Sequence, residues 1–240
     1  MARIRAVLFD IDGTLLDSND AHAHAWLDTL RGHGRNVPYE LVRSKIGMSG
    51  EKILADVAGV EPGSVEARAI QERRTMVFKA NYLPDLGPFH GARVLVDRLR
   101  SRGLCCVAVT SSTAEEALDL LRAAGVADLM DLVISADDVD HGKPDPDLVT
   151  TALDRIGVTP AEALMIGDTP YDIKAGARAG VPVIALRCGG WSDNDLRGAI
   201  AIYDDPADLS SQLDRSPLAL DRESDPPSTP MKVRARRVAL

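Results

Sequence analysis

Short apolar runs alternate with amphipathic stretches over the second part of this chain. Runs at 104–110, 131–135, 163–167 and 182–186, with a weaker one near 199–203, place Val, Ile, Leu, Ala or Cys at consecutive positions. Such runs predict strands buried on both faces. Between them, 91–102, 113–124, 146–156 and 170–179 carry apolar residues at helical spacing. Gly103, Gly125, Gly157 and Gly180 stand just past the last turns, where helices commonly end. Strand and helix alternating in this way is the signature of βαβ units wound right-handed into a parallel sheet. The run at 4–10 predicts a first strand of the same kind.

Residues 17–86 interrupt that alternation. Helical patterns at 18–31, 38–46, 50–58 and 62–81 follow one another without a strand, and the stretch closes on Pro84, Gly87, Pro88 and Gly91. An insertion that leaves right after the first strand and returns by residue 88 predicts a helical cap over the end of that strand. The expected fold class is therefore α/β: a Rossmann-like, doubly wound parallel sheet core formed by 1–16 and 87–215, with an α-helical cap at 17–86. From Ser216 onward four prolines precede Lys232, Arg234, Arg236 and Arg237, a composition that predicts a disordered tail over 216–240.

Composition narrows the function classes. A net charge of −8 argues against nucleic acid as a partner, and it means that any anion site must build its own local positive charge. No apolar run approaches the length needed to cross a membrane, and residues 1–9 lack the layout of a signal peptide. The three cysteines include the adjacent pair Cys105-Cys106 inside a predicted strand, where neighbours point to opposite faces. They read as buried thiols in a reducing cytoplasm.

The candidate chemistry sits where the strands end. Val7-Leu8-Phe9 runs into Asp10-Ile11-Asp12-Gly13-Thr14, and open α/β sheets bind their ligands at this edge. Two carboxylates two residues apart on extended backbone point the same way. They can hold one divalent cation and divide nucleophilic from acid/base work. Three further strand ends carry Thr110-Ser111-Ser112, Gly142-Lys143-Pro144-Asp145-Pro146 and Gly167-Asp168-Thr169-Pro170-Tyr171-Asp172.

These four segments, in this order, resemble the four motifs of the haloacid dehalogenase-like hydrolase superfamily, over roughly residues 4–213. Within it the chain is most similar to the helical-cap phosphatases and phosphosugar mutases, since the dehalogenases lack the acid found here as Asp12. The resemblance implies Mg²⁺ held by Asp10, the backbone carbonyl of Asp12, and Asp168. It implies Asp10 as a nucleophile that forms an aspartyl-phosphate and Asp12 as the acid/base. Thr110 would offer its hydroxyl, and Ser111 its backbone N–H, to the phosphoryl oxygens, with Lys143 as the point charge beside them. Ser112-Thr113-Ala114-Glu115 has the pattern of a capping box, which predicts the Ser112 side chain as the cap of the following helix. Asp172 has two uses open to it: capping the helix that begins at Pro170, or supporting the metal.

In the cap, His22 and Trp26 lie one helical turn apart and share a face. His22 is expected to touch the substrate, Trp26 to be cap core, and His24 to be exposed. Lys45-Ile46-Gly47-Met48-Ser49-Gly50 resembles the cap loop that faces the site in these relatives. The mutases carry a lysine just before that glycine and an arginine three residues after it; here those places hold Ile46 and Gly50, and the basic residue is Lys45. The expected function is Mg²⁺-dependent hydrolysis of a small phosphorylated metabolite, of sugar phosphate or phosphoglycolate type, by a monomer or weak dimer. A β-phosphoglucomutase-like phosphosugar mutase is the alternative.

Overall fold

The computed structural model describes residues 3–219, so all but the first four residues of the tail expected at 216–240 lie outside the described residues. Of those four, Leu218 is buried in the same apolar cluster as Leu209 and Leu213. Among the described residues no helix is long and apolar enough to cross a membrane.

Six strands form one sheet: β1 (Ala6–Phe9), β2 (Cys105–Val109), β3 (Leu132–Ile134), β4 (Ala163–Gly167), β5 (Val183–Leu186) and β6 (Ala201–Tyr203). Their order is β3-β2-β1-β4-β5-β6, and every pairing is parallel. All six predicted runs are strands. β1 sits inside the sheet, with Leu8 opposite Val107 on one side and Met165 on the other. The chain winds outward from β1 to β3 and then crosses back to β4, which makes the C-terminal ends of β1 and β4 the switch point where a ligand crevice opens.

Alternation along the strands builds two cores. Val7, Phe9, Cys106, Ala108 and Ile166 face one side, covered by α5 (Ala92–Ser101), α6 (Ala114–Ala123) and α9 (Pro206–Ser211). Ala6, Leu8, Cys105, Val107 and Met165 face the other, under α7 (Asp147–Ile156) and α8 (Pro170–Ala179). The two adjacent cysteines thus enter different cores as free thiols, and burial pushes the Cys105 thiol up to about 12.

The four helices of 17–86 are α1 (Asn19–Gly32), α2 (Tyr39–Arg43), α3 (Gly50–Ala58) and α4 (Val65–Asn81). They share a third apolar cluster of Trp26, Leu30, Val42, Ile53, Leu54 and Ile70. The chain leaves and re-enters the core along one seam: Asp17 N–H donates to Gly87 O at 3.1 Å and Phe89 N–H to Leu15 O at 3.1 Å. α1 and α4, each 14 residues or longer, pack on one another above that seam.

Candidate active site

Asp10 is the first residue past β1, and its N–H still donates to Ile166 O at 2.9 Å, so the sheet itself fixes where its side chain leaves. Asp168 follows β4 in the same way. Asp172 lies one helical turn on, at the start of α8, where Thr169 and Asp172 close a reciprocal cap: Thr169 Oγ1 accepts from Asp172 N–H at 3.2 Å and Asp172 Oδ2 accepts from Thr169 N–H at 3.0 Å. These three carboxylates are buried, and each offers an oxygen within 4.8 Å of the others.

One cation enters this group. Lys143, 1% exposed, donates to Asp10 Oδ1 and to Val109 O at 3.1 Å, and its Nζ lies 2.8 Å from Asp172 Oδ1. Asp172 therefore caps α8, the first of the two uses open to it, and its other oxygen faces the charged cluster. Asp168 is held by neutral donors, Asn19 Nδ2 at 2.8 Å and Thr14 Oγ1 at 3.1 Å. Gly13, at φ +76°, lets the chain turn here; a Cβ on it would collide with Asn19 and Asp168.

Three acids against one ammonium leave the cluster short of positive charge. Burial, with Asp172, Asp168 and Asp12 adding to it, holds the Asp10 carboxyl well above the usual range despite Lys143. Burial and then Asp172 push Asp168 up to about 7, against the hydrogen bonds from Asn19 and Thr14. Lys143 shows the complement: burial would lower it, but Asp10 and Asp172 hold it above its ordinary value. A close set of hard oxygen donors with surplus negative charge suits a divalent cation such as Mg²⁺.

Asp12 does not join that set through its carboxylate, which turns toward the cap. Its Oδ1 accepts from Ser18 Oγ at 2.6 Å and pairs with His22 Nε2 at 2.7 Å. Burial alone would raise it, yet the His22 ring and the Ser18 hydroxyl hold it below the ordinary carboxylate value. His22 is itself clamped, stacked on Phe78 with ring centroids 4.1 Å apart and with Nδ1 against Arg74 Nη2. A guanidinium only donates, so Nδ1 accepts and Nε2 carries the hydrogen that Asp12 receives.

Above these groups lies a cavity of about 110 Å³, reached by Asp10, Asp12, His22, Thr110 and Ser111 from the expected set. Trp26 is cap core as expected and also lines it, and His24 is exposed. Thr110 Oγ1 accepts from Ser112 N–H at 3.1 Å, which carries the turn one residue further than the sequence pattern suggested. The cap of α6 is consequently Thr113, whose hydroxyl accepts from Glu116 N–H at 3.3 Å, and the Ser112 hydroxyl instead donates to Glu116 Oε1 at 3.3 Å. The cap loop does reach the site through Ile46, Gly47, Met48 and Gly50, with Gly47 at φ +102° against Thr169. Lys45 turns away to Asp56, 2.7 Å distant.

Sequence reasoning missed Asn19, Thr14, Arg74 and Glu116. Arg74 Nη1 donates to both oxygens of Glu116, at 2.7 and 2.9 Å, tying α4 to α6 across the cavity. The sequence offered Thr14 and Asn19 as neighbours of the acids; for Arg74 and Glu116 it showed only ordinary helix charges.

Known proteins resemble this chain in sequence and in fold. The profile of the family described as haloacid dehalogenase-like hydrolase matches residues 7–186. A validoxylamine A 7'-phosphate phosphatase of Streptomyces hygroscopicus subsp. limoneus is 33% identical over 76% of this chain and 85% of its own length. A phosphoglycolate phosphatase of Rhodospirillum rubrum is 32% identical over 87% of this chain and 90% of its own. Among solved structures, a hydrolase from Pseudomonas syringae superposes with a TM-score of 0.82 at 30% identity, covering 88% of this chain and 98% of that one.

Proposed function

The chain belongs to the haloacid dehalogenase-like hydrolase family and is an enzyme of its phosphatase type; on that premise we propose that it hydrolyses a small phosphomonoester of the sugar phosphate or phosphoglycolate type through an aspartyl-phosphate on Asp10. The observation that carries this reading is the division of labour between two acids two residues apart. Asp10 faces Lys143 and the carboxylate cluster, whereas Asp12 is turned away and held by Ser18 and His22.

In the first half-reaction an Asp10 oxygen attacks phosphorus, the bond to the leaving oxygen breaks, and that oxygen takes a proton from Asp12. An incoming phosphate dianion raises the proton affinity of Asp12, which otherwise lies low. In the second half-reaction water attacks phosphorus, Asp12 takes its proton, and the acyl-phosphate bond to Asp10 breaks to release phosphate. Thr110 and Ser111, which line the cavity, would hold the phosphoryl oxygens, and Lys143, beside Asp10, would offset their charge. Asp10, Asp168 and the Asp12 backbone carbonyl would hold Mg²⁺, with Asp172 beside them; the ion supplies charge neutralisation where phosphate meets carboxylate.

Water rather than a second sugar hydroxyl is favoured as the acceptor. A mutase must grip the far phosphate of a bisphosphate, and Arg74, the one Lys or Arg among the described residues lining the cavity, is already bound to Glu116. The test is phosphate release across a panel of phosphorylated metabolites with Mg²⁺, alongside β-glucose 1-phosphate with a bisphosphate primer. Inorganic phosphate from at least one monoester, and no net glucose 6-phosphate, is the expected result. Isomerisation outpacing phosphate release would put the mutase in its place.

A further inference from the structure

A phosphomonoester has two ends. Its phosphoryl group goes to Asp10, and its leaving group must lie against the rest of the cavity wall, where Trp26, Gln71, Arg74, Thr75 and Glu116 stand. The formal charge of that wall is zero. Arg74 gives Nη1 to both oxygens of Glu116 and Nη2 to His22, and Glu116, 1% exposed, also receives the Ser112 and Thr75 hydroxyls, each at 3.3 Å. The loop and α3 lysines of the cap are engaged elsewhere, Lys45 by Asp56 at 2.7 Å and Lys52 by Asp145 at 2.5 Å.

A leaving group bearing a carboxylate or second phosphate would enter a cavity that already holds the carboxylates of Asp12 and Glu116. To recruit Arg74 it would have to compete with Glu116 for the guanidinium, and an acid that lost that charge would be left buried with only the Ser112 and Thr75 hydroxyls. A neutral, hydroxylated leaving group meets no such conflict. The Gln71 amide, the Thr75 hydroxyl and the Glu116 oxygens can exchange hydrogen bonds with it, and the Trp26 ring offers an apolar face. The cavity, about 110 Å³, suits a compact leaving group, whether charged or neutral.

We propose that the Arg74–Glu116 pair sets the specificity of this enzyme by rejecting leaving groups with a second negative charge, so that its substrates are compact monophosphates of neutral polyols or sugars. This rests on the phosphatase reading and decides between its two substrate types, against phosphoglycolate.

Two matched pairs test it on the full chain with Mg²⁺: 2-hydroxyethyl phosphate against 2-phosphoglycolate, and glycerol 3-phosphate against 3-phosphoglycerate. Each pair differs by CH₂OH in place of a carboxylate. The alcohol should be cleaved with the higher kcat/KM in both pairs, by about tenfold for one uncompensated charge in a partly desolvated site. Glu116→Gln should shrink or invert that ratio by about tenfold, moving KM more than kcat, and Arg74→Gln should widen it. The opposite responses keep the test informative if one variant fails to fold. A wild-type preference for the carboxylates, or a ratio unmoved by whichever variants fold, overturns the proposal. So does cleavage of an aryl phosphate with none of the four turned over, which leaves the phosphatase reading standing. No phosphate release from any monoester, the aryl phosphate included, would overturn that reading itself.

Discussion

The floor of the site and its cap-side wall are built in different ways. On the floor, Asp10, Thr110 and Asp168 stand one residue beyond buried parallel strands, so backbone pairing fixes where their side chains leave the sheet. On the wall, His22 and Arg74 come from the separate helices α1 and α4, and they reach Asp12 and Glu116 only because long side chains bridge cap and core. The floor is anionic around one lysine, and the wall is charge-neutral. Chemistry common to many substrates is placed where the chain has no freedom, and choice among substrates where a change of helix roll or side chain can alter it.

The largest effect expected is at the floor. Asp10→Asn should lower kcat by about 10³-fold or more while leaving the fold intact, and Asp12→Asn should lower it by about 10²–10⁴-fold. The two losses should not add, because the residues serve one reaction sequence; kinetics of the double variant check this. Wall variants should not come near these factors, and if His22→Ala matched Asp10→Asn the separation of floor from wall would be broken.

Next in size is stability. Lys143→Met removes the cation that faces Asp10 and Asp172 and should cost about 3–5 kcal/mol, the usual result of orphaning buried charges. Denaturant melts would measure it, and added Mg²⁺ should return part of the loss.

Metal binding separates the two regions without any turnover. Mg²⁺ at about a hundred times its Kd should stabilise the protein by about 2.7 kcal/mol. Asp168→Asn should abolish that gain and Arg74→Gln should keep it. The gain also depends on pH. The folded-state pKa of Asp168 is raised to about 7, so in metal-free protein its contribution is fully present below the unfolded value. That contribution is lost as pH rises toward 7. Thermal melts without metal should therefore fall between about pH 4 and 7, and Mg²⁺ should flatten the trend.

The smallest effect belongs to the cap loop. Lys45 is paired with Asp56 at 2.7 Å on a partly exposed surface. Lys45→Ala should cost less than about 1 kcal/mol and leave substrate ranking unchanged, in contrast with His22→Ala, which should alter KM and ranking.

The same contrast explains what could be read from the sequence. The inner strands were legible because residues buried on both faces must be apolar in series, and Asp10, Thr110 and Asp168 were legible because each follows such a run. The wall was not. Arg73 and Arg74 are neighbours in one charged stretch, yet only Arg74 lines the cavity over Asp10, whereas Arg73 lines a groove beside Thr29 and His33. A helix turns about 100° per residue, so which arginine faces inward depends on how α4 packs against α1. Glu115 and Glu116 divide the same way, 86% and 1% exposed. The Ser112 cap was off by one residue for a related reason: the Thr110 hydroxyl holds Ser112 N–H, a contact that requires the folded strand end.

The central claim is that Asp10 becomes covalently phosphorylated. Rapid acid quench of enzyme turning over its best substrate, followed by borohydride reduction and peptide mass spectrometry, reads this directly, because an aspartyl-phosphate is reduced to homoserine. Homoserine at position 10, absent without substrate and absent in Asp10→Asn, is the predicted result. Steady turnover with Asp10 unmodified in every quenched sample, or homoserine appearing at position 12 or 168 instead, would contradict it.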